Sequence, residues 1–134
     1  MANIKKIEGI GKVYGEKLNE IGITSIEAFL KKAASAKGRQ ELAEKIGVST
    51  QQILEWANRA DLMRIKGVGE EFSDLLEAAG VDTVVELAQR NAENLYKKLQ
   101  EVNAEKKLVR RLPTRQQVEN WIEQAKKLPR VITH

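Results

Sequence analysis

Apolar residues recur along most of this chain at the three- and four-residue spacing of one helical face. Val13, Leu18 and Ile21, with Lys17 between them, mark a short helix that Gly22 stops. Thr24 and Glu27 have capping-box spacing, and Ile26, Phe29, Leu30 and Ala33 form the stripe that follows. Leu42, Ala43 and Ile46 mark a third helix, with Gly47 placed as its C-terminal cap. Ile53, Trp56, Ala57 and Ala60 mark a fourth. The plan then recurs. Phe72, Leu75, Leu76 and Ala79 precede Gly80, and Val84, Leu87 and Ala88 follow Asp82-Thr83. Leu95, Leu99 and Val102 form a stripe running on towards Leu108, and Val118, Trp121, Ile122 and Ala125 form the last, stopped by Pro129. No segment alternates as a strand would. The pattern predicts an all-α fold of about ten short helices. It defines residues 33–37 and 103–112 least.

Two blocks of the chain match each other. Ile7-Glu8-Gly9-Ile10-Gly11 and Ile65-Lys66-Gly67-Val68-Gly69 stand 58 residues apart, since 65 − 7 = 58. That register holds without a gap through Leu18 and Leu76, Gly22 and Gly80, Ile23 and Val81, Ile26 and Val84, and Phe29 and Leu87. Further on, residues 52–60 match residues 117–125, with Trp56 and Trp121 in register at an offset of 121 − 56 = 65. Ser49 with Gln52 lines up with Thr114 with Gln117, both at capping-box spacing. The change of offset places an insertion near residues 103–112. The reading is a duplicated helical unit, residues 1–62 and 63–134. No linker rich in Gly, Ser or Pro separates them, so they are expected to pack as one body.

Composition narrows the chemistry. The 134 residues contain no cysteine, and the one histidine is His134. Disulfides, thiol catalysis, a histidine triad and a zinc cluster are therefore not expected. The carboxylates are scattered. No Gly-Lys-Ser/Thr phosphate loop is present, and no dinucleotide fingerprint follows a strand. The sequence calls for no enzyme, no cofactor and no metal. It shows no signal peptide and no apolar run of bilayer length, so the expected location is cytoplasmic. The formal net charge of +4 permits an anionic partner without demanding one.

The two Gly-x-Gly segments are the sharpest local signals. Each sets an apolar residue between glycines and opens into a helix, whose first N–H groups are free to meet an anion. Ile7, Gly9, Ile10, Gly11, Gly15 and Leu18 in the first unit, and Ile65, Gly67, Val68, Gly69, Ser73 and Leu76 in the second, resemble the helix-hairpin-helix motif. That resemblance implies binding to the backbone of duplex DNA without base reading. The implied contacts are Gly9, Gly11 and Lys12, then Gly67 and Gly69. Two features depart from the pattern: the hairpins stand further apart than in classical paired domains, and Glu70 and Glu71 follow the second where they would repel phosphate. As an alternative, each segment is a tight helix-helix corner with Ile10 or Val68 plugging the core.

Lys106, Lys107, Arg110, Arg111 and Arg115 fall together with no acid among them, interrupted by Leu108, Val109 and Leu112. They suit either extra phosphate contacts or a solvated helix face. Lys31, Lys32, Lys37 and Arg39 make a smaller basic group. Trp56 and Trp121 fall on apolar stripes and are expected in the core rather than on a base-stacking surface.

The chain also resembles a bacterial family catalogued as domain of unknown function 4332. The matching phrases are Ala60-Asp61-Leu62, Ile65-Lys66-Gly67-Val68-Gly69, Ala79-Gly80-Val81-Asp82-Thr83, Leu108-Val109-Arg110-Arg111 and the final Trp121-Ile122-x-x-Ala125-Lys126. The resemblance implies the helical fold and no established activity. Two functional expectations follow. The leading one is sequence-independent binding of duplex DNA backbone. Its rival is a protein-binding adaptor, supported by the apolar residues within the basic segment and by the acidic second hairpin.

Overall fold

Short polar side chains start most of the helices. In the computed structural model, which describes residues 3–134, a 3-10 turn at Ile4–Lys6 leads into α1 (Gly11–Glu20). Then come α2 (Ile26–Ala33), α3 (Ala36–Ile46) and α4 (Thr50–Leu62). The remaining helices are α5 (Glu70–Ala78), α6 (Val84–Ala88), α7 (Ala92–Lys106) and α8 (Arg115–Lys127). The chain is all-helical, with eight α-helices rather than about ten and no strand among the described residues. The oxygens of Ser25, Ser35, Ser49, Thr83, Asn91 and Thr114 each accept a backbone N–H three residues on. Such caps satisfy donors that the first helical turn leaves open. At Thr114 the box closes, because Gln117 Oε1 accepts the Thr114 N–H at 2.7 Å. The expected pair Thr24 and Glu27 is displaced by one residue: Ser25 is the cap, its extended backbone aiming its hydroxyl at Ala28 N–H.

The chain divides into two compact units. The first comprises the residues up to Asp61 together with Val131–His134, and the second comprises Leu62–Arg130. In the first, Ile7, Ile10, Leu18, Phe29, Leu42, Ile46, Ile53 and Trp56 are almost wholly buried. In the second, Ile65, Leu76, Val84, Leu87, Leu95, Leu99, Val118 and Trp121 form one core. There α8 packs on α6 and α7, and α5 packs on α7. Burial of these stripes, at about 25 cal/mol per Å² of apolar surface, is what holds such short helices in place.

Three details depart from the sequence pattern. Val13 lies on the outside of α1, 63% exposed, and Ile21 is 38% exposed. Gly11 opens α1 only two residues earlier, so Val13 sits in a first turn that faces away from the core. Helix α7 ends at Lys106 instead of running on to Leu108, because Lys107 turns left-handed (φ 52°) and its N–H bonds to Asn103 O at 2.8 Å. The weakly patterned segment at 33–37 is a tight corner. Arg39, the last of the small basic group, is buried there and donates to Ala33 O, Ala34 O and Thr133 O. Burial lowers its pKa from the ordinary arginine value. Lys32 pairs with Glu41 at 2.6 Å, so this group is no free basic patch. No helix among the described residues is long and apolar enough to cross a membrane.

Candidate functional site

Both hairpins are built from the inside outwards in the same way. At Ile7–Gly11 the Ile10 N–H bonds to Ile7 O at 3.2 Å, and at Ile65–Gly69 the Val68 N–H bonds to Ile65 O at 3.1 Å. The four apolar side chains are buried. The middle glycines have φ +93° at Gly9 and +96° at Gly67, where a side chain is strained. Each also lies against an indole. A β-carbon on Gly9 would stand 3.0 Å from Trp56 Nε1, and one on Gly67 would stand 3.2 Å from Trp121 Nε1. The indoles are braced alike. Trp56 meets Tyr14 at 5.4 Å between ring centroids and Trp121 meets Phe72 at 5.2 Å, both at 52°. Tryptophan is thus the floor of each hairpin, and neither indole is presented for stacking on bases.

The outer rims differ. In the first hairpin Ile10 is right-handed (φ −73°, ψ −51°) and Gly11 is left-handed (φ +58°). In such a succession the neighbouring N–H groups can converge on an anion; here the Ile10 N–H is already bonded to Ile7 O. No side chain caps α1, its first turn has no acid, and Lys12 is exposed. In the second hairpin Gly69 has φ −103° in extended backbone, and Glu70 and Glu71 occupy the first turn of α5. They complement the positive end of that helix and repel phosphate. The tip is also held: Gln124 Oε1 accepts the Lys66 N–H at 2.9 Å, and Gln124 Nε2 donates to Lys66 O at 3.1 Å. Ser73, wholly buried, donates its O–H to Glu70 O at 2.9 Å.

The basic segment is a loop of defined shape over residues 107–114, flanked by Lys106 at the end of α7 and Arg115 at the start of α8. Val109 and Pro113 are buried beneath it, while Lys106, Lys107, Arg110, Arg111 and Arg115 are exposed. Asn103 fastens it from both sides. Its Oδ1 accepts the Val109 N–H at 2.9 Å, and its Nδ2 donates to Val109 O at 3.1 Å. Among the described residues, Lys106, Lys107, Arg110 and Arg111 form no ion pair, whereas Arg115 meets Glu119 at 3.5 Å. A cation in the first turn of α8 opposes the helix dipole, and the carboxylate one turn on offsets it. The helix-face reading of Lys106–Leu112 is therefore replaced by a stapled loop.

The structure brings Gly9, Gly11 and Lys12 together on one rim, Gly67 and Gly69 on a second, and Lys106, Lys107, Arg110 and Arg111 on the loop. Gln124 and Asn103 escaped sequence reading. Both are amides on exposed-looking helix positions, and only their two-sided bonds to one distant peptide reveal them. No group of three or more carboxylate or histidine side chains that could hold a metal ion occurs among the described residues.

A family model described as Domain of unknown function (DUF4332) matches residues 8–128. No curated protein and no solved structure matches the chain.

Proposed function

This chain belongs to the DUF4332 family, whose description names no function, and from the first hairpin and the basic loop we propose that it binds the phosphate backbone of duplex nucleic acid without reading sequence. In this reading each hairpin is a helix-hairpin-helix turn, and the two units are copies of one plan that have diverged in charge. The first hairpin is the phosphate clamp, through the N–H groups of Gly9, Gly11 and Lys12. Gly67 and Gly69 make a lesser contact behind Glu70 and Glu71. Lys106, Lys107, Arg110, Arg111 and Arg115 add electrostatic affinity. The observation that supports this best is the first rim: a right-handed then left-handed pair at Ile10–Gly11, an uncapped helix behind it, and a lysine in place of acids. Backbone donors and lysines hold phosphate without distinguishing bases, so sequence preference is low.

The test is binding to a labelled duplex of about 30 base pairs, titrated with salt, where each phosphate neutralised adds about −0.9 to the log–log slope. Gly11→Glu, which puts a carboxylate on the rim, is expected to weaken binding at low salt. Alanine at Lys106, Lys107, Arg110 and Arg111 together is expected to flatten the slope. Glu70→Lys with Glu71→Lys is expected to strengthen binding. Absence of low-salt binding, or binding indifferent to all of these changes, would reject the proposal.

A second reading, a protein-binding adaptor, has one observation in its favour. Val13 stands 63% exposed beside Lys12, an apolar residue on the rim itself. Under that reading Val13→Asp abolishes capture of a protein partner, and duplex DNA does not bind at low salt.

A further inference from the structure

Four cations on a surface loop usually cost affinity when they bind, because each long side chain and the loop beneath it must be ordered at that moment. Here the loop backbone is already fastened. Helix α7 ends at Lys106, Lys107 takes the left-handed conformation (φ 52°), the one non-glycine residue with positive φ among the described residues, and the chain turns back over the helix end. Asn103 then binds both polar groups of the Val109 peptide, at 2.9 and 3.1 Å. The Val109 side chain is buried, 7% exposed. Lys106 and Lys107 lie on one side of this staple and Arg110 and Arg111 on the other, all exposed and without an ion pair among the described residues.

We infer that Asn103 is a positioning residue, which holds these four cations as a preformed bracket for the phosphates of a duplex backbone. The inference rests on the proposed nucleic-acid reading and deepens it. Asn103 itself touches no phosphate. Its amide is turned inwards to Val109, and it acts through the loop. An asparagine suits the task because one side chain carries both a donor and an acceptor and can therefore engage the N–H and the C=O of one residue. Glutamine offers the same atoms on a longer stem, and aspartate has no donor for Val109 O. The left-handed Lys107 supports the same conclusion. It is the αL turn that ends many helices, costly for a non-glycine residue, and with its N–H bond to Asn103 O it fixes the direction in which the loop leaves α7.

The experiment compares Asn103→Ala with Val109→Ala in the full chain. Thermal melting gives stability, hydrogen exchange at the Val109 amide gives loop opening, and salt-titrated binding to the duplex probe gives affinity. Val109→Ala thins the core under the loop and keeps both amide bonds. Asn103→Ala removes the bonds and keeps every charge. The expected result is affinity lowered about fivefold by Asn103→Ala, faster exchange at Val109, and affinity nearly unchanged by Val109→Ala although it melts earlier. Affinity that follows melting temperature alike in both variants, or that Asn103→Ala leaves unchanged, overturns the inference. Should Asn103→Ala not fold, Asn103→Leu, which keeps the bulk and removes both amide bonds, carries the same comparison. The quadruple alanine variant keeps the two levels apart. If it leaves binding unchanged, the nucleic-acid reading itself fails at this loop. If it weakens binding and Asn103→Ala does not, only the positioning role fails.

Discussion

The hairpins at Ile7–Gly11 and Ile65–Gly69 share an inner surface and differ on the outer one. Inside, each has a left-handed glycine lying on an indole, two buried apolar plugs and a ring packed against the indole at the same tilt. Outside, one ends in a left-handed glycine and a lysine, the other in extended backbone and two glutamates, with its tip tied to α8 by Gln124. The inner surface meets packing demands, which tolerate little change. The outer rim meets solvent, where charge and backbone shape vary at small cost to the fold. One turn architecture thus supports two different electrostatic faces.

The largest expected effects concern what the hairpins have in common. Trp56→Ala and Trp121→Ala should each destabilise by about 3–5 kcal/mol, the range for truncating a buried aromatic, measured by chemical denaturation. Both indoles are at least 98% buried and carry a hairpin glycine. Against a total stability of about 5–15 kcal/mol, either loss endangers folding. A small effect at one tryptophan and a large one at the other would mean that the shared geometry does not reflect a shared structural role.

The inner surface was also the part that the sequence disclosed. The apolar stripes of Phe29, Leu42, Trp56, Leu76, Leu99 and Trp121 all lie where helical spacing put them, because burial imposes a period that residue types record. The glycines at 9 and 67 were readable for a related reason: only one residue type fits there. The site was less readable. Val13 fits the apolar pattern yet faces solvent, since spacing alone cannot tell which way the first turn of a short helix points. Arg39 reads as a surface cation and is buried against three carbonyls, two at the adjacent corner of Ala33 and Ala34 and one from the distant Thr133. Asn103 and Gln124 leave no local trace, because each is defined by a peptide several residues or several helices away.

A middle-sized effect separates the two tips. Gln124→Leu removes both bonds to the Lys66 peptide and should cost about 1 kcal/mol, the net worth of such bonds at a partly exposed site. Hydrogen exchange at Lys66 should quicken, while the first hairpin keeps its rate. Equal quickening at both hairpins would mean that the variant loosens the whole chain, and that Gln124 is no local tether.

The smallest effect is the most discriminating, because the two hairpins should respond with opposite signs. Serine is placed at Gly11 and, separately, at Gly69. Neither position has a heavy atom within 4 Å of where a β-carbon would stand, so crowding plays no part. What remains is backbone conformation. Gly11 has φ +58°, and a β-carbon there costs about 1 kcal/mol. Gly69 has φ −103° and ψ −159° and is the N-cap of α5, the conformation in which a serine hydroxyl accepts an N–H of the first turn. Replacing glycine there also lowers the entropy of the unfolded chain, so Gly69→Ser should gain about 0.5 kcal/mol. Equilibrium unfolding of the two variants reads the difference directly. Opposite signs would establish that the first rim is held in a conformation costly to any residue but glycine, while the second is an ordinary helix start. Equal signs would remove the conformational part of the distinction and leave Lys12 against Glu70 and Glu71, together with the Gln124 tether.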